Sequence, residues 1–200
     1  MNTSLISSDT HWAPTIDAYH PDIKTAAEQA SFFISSMAAG LPPYWLTFSG
    51  IPGTGKTMLA KQIFEEAKKH NPGRHSLWVP PGASGVLRDE DRRPYCIWLD
   101  AARFATRMRE GEYNLPESYA PDFLLVFDDL GTDRDKTDFI AEAVYRLAAS
   151  RLGRWTVWTT NLTAAEVSER IDNRVASRMI RDENRFVSLR CGDYALRKKP

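Results

Sequence analysis

The run Gly50-Ile51-Pro52-Gly53-Thr54-Gly55-Lys56-Thr57 restricts what this chain can fold into more than any other stretch. It follows G-x-x-x-x-G-K-[ST] at every fixed position, a loop that needs a strand before it and a helix after it. Tyr44-Trp45-Leu46-Thr47-Phe48 supplies the apolar strand, and Met58, Leu59, Ile63 and Phe64 share one face of a following helix. Gly50, Gly53 and Gly55 permit torsions and close approaches that a Cβ would block. The N–H groups of such a loop form an anion nest at a helix N-terminus, where the helix dipole also favours phosphate. Lys56 can reach the β- and γ-phosphates of a nucleotide, and the Thr57 hydroxyl can bind Mg²⁺. The residues expected on the nucleotide are Gly50, Pro52, Gly53, Thr54, Gly55, Lys56, Thr57 and Met58, with ATP and Mg²⁺ as cofactors.

Strands and helices alternate along the rest of the chain. Residues 1–21 are polar and read as a flexible N-terminal arm. A helix follows over Asp22–Ala39, capped by Asp22 and stopped by Gly40, Pro42 and Pro43. The helix after the glycine-rich loop runs to about Lys69. His70–Pro94 is a long insertion loop holding the charged run Arg88–Arg93, with a short strand at Leu77-Trp78-Val79. Tyr95–Leu99 is a core strand, and Asp100 caps a helix to about Glu110. Gly111–Pro121 reads as loop, and Phe123–Phe127 as a strand apolar throughout, hence buried on both faces. Asp135–Leu152 is a helix with Phe139, Ile140, Ala143, Val144 and Leu147 turned inward. Trp155–Thr159 is the next strand, Thr163 starts a short helix, Arg174–Ile180 forms another, and Arg185–Leu189 is the final strand. Residues 191–200 form a basic C-terminal tail. This order predicts an α/β fold of the P-loop NTPase type, a doubly wound parallel sheet flanked by helices.

In such sheets ligands sit beyond the carboxyl ends of the strands. Three polar features lie just past strand ends: the glycine-rich loop, Asp128-Asp129 and Asn161. An apolar strand ending in acid is the Walker B arrangement, so Asp128 is expected to hold Mg²⁺ with Thr57. Asp129 is placed to orient or deprotonate an attacking water, and Asn161 to sense the γ-phosphate or that water. Arg170, Arg174 and Arg178 recur every four residues and are expected on one helical face. Arg178 and Arg174 are candidates for an arginine finger offered to a neighbouring subunit's nucleotide.

These motifs together resemble the AAA+ ATPases of the DnaC/IstB type, bacterial helicase loaders and ATP-dependent helpers of insertion-sequence transposases. The resemblance lies in the glycine-rich loop, Leu125-Val126-Phe127-Asp128-Asp129-Leu130-Gly131, Thr159-Thr160-Asn161-Leu162 and Arg174-Val175-Ala176-Ser177-Arg178-Met179, and covers about residues 23–190. It implies an AAA+ core over residues 22–190, ATP hydrolysis, ATP-dependent self-assembly, contact with single-stranded DNA, and a replicative helicase or a transposase as partner. It makes Asn161 the first sensor and Arg178 the finger ahead of Arg174. The chain departs from the family in having only residues 1–21 before its first helix, a longer 70–94 connection, and no room for a helical lid domain.

Composition narrows the alternatives. Lys and Arg number 26 and Asp and Glu number 26, so no overall charge draws the chain to nucleic acid. Cys96 and Cys191 are too far apart in sequence for a zinc motif, and the four histidines form none. Nothing resembles a signal peptide or a membrane span, so a cytoplasmic location is expected. A P-loop phosphotransferase, with Arg174 and Arg178 clamping phosphates, and a nucleotide-binding module that does not hydrolyse remain open beside the ATPase reading.

Overall fold

The computed structural model describes residues 20–70, 75–78, 95–131 and 138–193. The arm at 1–19, the charged run 88–93 and the tail from 194 lie outside these residues. The apolar runs become strands β1 (Trp45–Gly50), β2 (His75–Trp78), β3 (Tyr95–Asp100), β4 (Leu124–Leu130), β5 (Trp155–Thr160) and β6 (Arg185–Leu189). They form one parallel sheet in the order β2-β3-β4-β5-β1-β6. β5 is buried at all its residues and β1 at all but the last, as continuous apolar runs require in a sheet covered on both sides.

Helices α1 (Pro21–Ala38) and α2 (Lys56–His70) cover one face, packing on Leu46, Phe48, Leu124, Val126 and Val157. Helices α3 (Ala101–Arg109), α5 (Asp138–Ser150) and α7 (Asn173–Ile180) cover the other, on Trp45, Leu125, Phe127 and Trp158. This division follows from handedness. The chain leaves β1 for the far side of the sheet over α2, then returns through β3, β4 and β5 over α3 and α5. Right-handed crossovers running in opposite directions must lie on opposite faces. The return trip leaves β5 between β1 and β4, so the strand ending in Asn161 lies between the glycine-rich loop and Asp128.

Four local expectations change. The cap of α1 is His20, whose Nδ1 accepts from the Asp22 N–H at 3.2 Å, because Pro21 takes the first helical position and pushes Asp22 into the first turn. Residues 115–118 form a one-turn helix, α4 (Leu115–Ser118), inside the stretch expected to be loop. Phe139 is 43% exposed rather than inward, its ring set against Tyr113 at 6.0 Å between centroids. Arg170 ends α6 (Ala164–Arg170) and pairs with Glu166, so it belongs to a different helix from Arg174 and Arg178.

At the amino ends of the strands the sheet is tied by Arg151, fully buried just after α5. Its Nη1 donates to the carbonyls of Tyr119 at 2.8 Å and Asp122 at 2.7 Å, and its Nη2 to Trp155 O at 2.6 Å. Its Nε donates to Thr156 Oγ1 at 3.3 Å. Burial pulls the guanidinium down to about 9, with Asp122 opposing, so it stays charged at neutral pH. Its own carbonyl accepts from Trp45 Nε1 at 3.0 Å, which links the tie to β1.

Candidate nucleotide site

The loop after β1 folds on itself before α2 begins. Gly53 and Gly55 take φ of 78° and 91°, in the left-handed region that side chains disfavour. Gly50 lies against the Leu189 carbonyl of β6, where a Cβ would collide. Thr54, buried, donates its hydroxyl to Ile51 O at 2.9 Å and closes the turn. Pro52 and Met58 are exposed at the rim.

Lys56 is 5% exposed and turns back on the loop, donating from Nζ to Gly50 O at 2.7 Å and Ile51 O at 2.8 Å. Burial lowers its pKa, and the charges of Asp129 and Asp128 oppose that fall. An ammonium has three donors, and two acceptors within its own loop leave it free to exchange partners when a phosphate arrives.

Asp128 and Asp129 owe their placement to a bulge. The ladder from β4 to β5 pairs Phe127 with Trp158 and then Leu130 with Thr160, so three residues of β4 oppose two of β5 across this step. The extra residue is accommodated by Asp129 at φ 60°. Thr159 holds the bulge: its hydroxyl donates to Asp128 Oδ1 at 2.6 Å and accepts from the Asp129 N–H at 2.9 Å. The same Oδ1 accepts from the Thr57 hydroxyl at 3.1 Å, joining the expected metal ligands across 71 positions of sequence. Burial raises the Asp128 pKa, and the charges of Asp129 and Asp100 add to that, while the Thr159 and Thr57 bonds oppose it. Asp100 is the register partner of Asp128 and caps α3 through the Arg103 N–H at 3.0 Å.

Asn161 follows β5, half-buried, with Oδ1 covered and lacking a hydrogen-bond partner. Its turn is fixed from both sides. Ser49 donates to Leu162 O at 2.7 Å, and Thr160 donates to Leu130 O at 2.7 Å while accepting from the Leu162 N–H at 3.0 Å. A buried amide oxygen left without a donor in so fixed a turn is a place for a ligand group.

The two arginines are placed apart from this cluster. Arg174 donates to Asp172 at 2.8 Å, pairs with Glu142 at 3.5 Å and lies 3.5 Å from the Tyr145 ring centroid. Arg178 lies 4.9 Å from the same centroid. Neither hydrogen-bonds the loop, Asp128 or Asp129. The structure thus brings together Lys56, Thr57, Asp128, Asp129 and Asn161, and leaves Arg174 and Arg178 on the α5–α7 surface.

Several contributors had little or no local signal. Thr159 reads as one more β-branched strand residue. Asp100 reads as a helix cap and is also part of the acidic group. The stretch after β6, expected to be tail, packs on the loop over its described residues. Arg190 N–H donates to Asp22 Oδ2 at 2.8 Å, Cys191 is buried, and the Asp193 carboxylate fills the space a Cβ on Gly53 would take. Burial pushes the Cys191 thiol up. The described residues contain no group of acids, histidines and cysteines able to hold a metal by themselves. Among them, no helix is long and apolar enough to cross a membrane.

No protein-family model and no curated protein matches the sequence. Solved structures match over nearly the whole chain. The DnaC helicase loader superposes with a TM-score of 0.59 at 22% identity, over 87% of this chain and 95% of that one. DnaI gives 0.63 at 16% identity, over 90% and 87%. The AMPPCP-bound DnaA of Aquifex aeolicus gives 0.55 at 17% identity, over 87% of this chain and 48% of its own length. The sheet order, the loop geometry and these superpositions agree: the chain has a P-loop α/β fold, the fold of the DnaC, DnaI and DnaA structures.

Proposed function

We propose that this chain is an ATP-binding and hydrolysing AAA+ switch protein that acts in DNA replication in the manner of a helicase loader. One observation carries the nucleotide reading: the Thr57 hydroxyl and the Asp128 carboxylate, expected independently as Mg²⁺ ligands, meet at 3.1 Å beside Lys56. The residues fit ATP and Mg²⁺. The loop offers backbone N–H groups at a helix N-terminus, and Lys56 can trade loop carbonyls for phosphate oxygens. When bound, Mg²⁺ would neutralise charge on the phosphate oxygens. Asp129 would take the proton of the attacking water, and Asn161 would orient that water or the γ-phosphate. The loader reading is supported by the superpositions on DnaC and DnaI.

Arg178 is the finger in this reading, and Arg174 is scaffold. Arg174 is already committed to Asp172 and Glu142, whereas among the described residues Arg178 has no ion pair and its Nη1 is covered without an acceptor. ATP would drive self-assembly and partner binding, and hydrolysis would end both. The test is ATP turnover per protomer against protein concentration, with and without single-stranded DNA. Wild type should rise with concentration. Arg178→Ala should stay flat, about 10³-fold below the assembled wild type, with its own ATP affinity intact. Normal hydrolysis by Arg178→Ala at high concentration sinks the finger assignment. Capture from the host with and without ATP then decides the partner. A replicative helicase supports the loader reading, and a transposase replaces it with the helper reading.

A further inference from the structure

We propose that Tyr145 is a positioning residue for Arg178, holding its guanidinium against the ring until the nucleotide of a neighbouring subunit takes it. The inference rests on the reading of Arg178 as a finger. Tyr145 projects from α5, half-buried, with its body packed against the core cluster beneath α5 and α7. Arg174 and Arg178 are four residues apart on α7 and so share one face. Both guanidinium carbons lie against this one ring, at 3.5 Å and 4.9 Å from its centroid.

Their restraints differ. Arg174 takes the two acids within reach, Asp172 from below α7 and Glu142 from α5. With those acids engaged, Arg178 makes no ion pair among the described residues. Its guanidinium meets the ring face, which attracts a cation but accepts none of its in-plane N–H bonds. The buried Nη1 without an acceptor has most to gain from an oxygen supplied from outside the subunit. A long side chain otherwise spreads over many rotamers, and the ring confines it before assembly, so less freedom is lost when it engages. Tyr145 on this account never touches the nucleotide. It acts through Arg178 alone, and its ring face matters rather than its hydroxyl.

Mixed-subunit hydrolysis tests this. The acceptor is Arg178→Ala, which keeps an intact site and lacks a finger. The donor is Asp129→Asn, which keeps the finger and cannot hydrolyse. Each is inactive alone, and the mixture should recover turnover at the acceptor's sites. No recovery sinks the finger reading itself and this proposal with it. Given recovery, a donor carrying Asp129→Asn and Tyr145→Leu should restore roughly tenfold less turnover, whereas one carrying Asp129→Asn and Tyr145→Phe should restore it fully. The KM for ATP should not move, because it belongs to the acceptor's untouched loop. Equal restoration by the Leu and Phe donors, with recovery by Asp129→Asn in place, overturns the role of Tyr145 and leaves the finger standing. So does a Phe donor as weak as the Leu donor, since it would assign the effect to the hydroxyl.

Discussion

Two buried cations sit at opposite ends of the same sheet, and they are held in different ways. Arg151, at the amino ends of the strands, is surrounded by the carbonyls of Tyr119, Asp122 and Trp155 and the hydroxyl of Thr156. Those acceptors belong to two separate segments, the stretch before β4 and the start of β5, so the guanidinium staples them and cannot leave without orphaning all of them. Lys56, at the carboxyl ends, relies on two carbonyls of its own loop and on the charges of Asp129 and Asp128. Burial lowers the pKa of both. Burial and a shifted pKa therefore do not tell function from structure here. What does is whether the partners are fixed and numerous, or few and exchangeable.

The comparison breaks most easily at Lys56. Lys56→Ala should weaken ATP binding by at least about 100-fold, roughly 2.7 kcal/mol, while the melting temperature moves little. Titration with a fluorescent ATP analogue, alongside a thermal melt, checks both halves. A large loss of stability in this variant would mean that Lys56 is a second staple. Arg151→Leu should do the reverse. It removes a buried charge from partners that cannot relax, at a cost of about 3–5 kcal/mol. That corresponds to a fall in Tm of roughly 6–20 °C, with ATP affinity unchanged in the protein that remains folded. Weakened ATP binding at full folding would show that the two ends are coupled.

The smallest effect sharpens the contrast at Asp128. Its carboxyl holds its proton more tightly folded than unfolded, so protonation favours the fold. That contribution is present below the ordinary aspartate range and is lost as pH rises through the raised folded value. Asp128→Asn should therefore melt like wild type at low pH, and above it by a constant margin once the wild-type carboxyl has ionised. It should also lose Mg²⁺-dependent ATP binding. Melts of both proteins across pH without nucleotide give the first result, and Mg²⁺ titrations the second. A stabilising substitution that abolishes binding would mark Asp128 as kept for its ligand.

The sequence pattern carried the parts of this molecule that are local. Apolar runs located β3, β4 and β5, and the acids after β4 and the amide after β5 pointed to the ligand edge. The glycine-rich loop carried its own geometry, because its torsions and its N–H groups belong to consecutive residues. What could not be read depends on pairing between distant strands. The β4 bulge exists only relative to β5, and without it Asp128 and Asp129 read as a simple strand ending. Arg151 reads as one more arginine near a helix end, where a solvated side chain is the ordinary expectation. Phe139 fits an inward helical stripe until Tyr113 from another connection meets it outside. Arg170, Arg174 and Arg178 have helical spacing, but Asp172 caps a new helix between them. Periodicity counts residues and does not detect that break.

Thr159 has a mechanical consequence. One oxygen atom, giving its hydrogen to the Asp128 carboxylate and receiving another from the Asp129 backbone, ties that carboxylate to the main chain of its neighbour. Asn161 lies two residues farther along the same strand end. A displacement of the strand end at Asn161 would therefore carry the Asp128 carboxylate and the Asp129 backbone with it through one hydroxyl. The bulge that sets those two acids apart is thus pinned by a single side chain of the neighbouring strand.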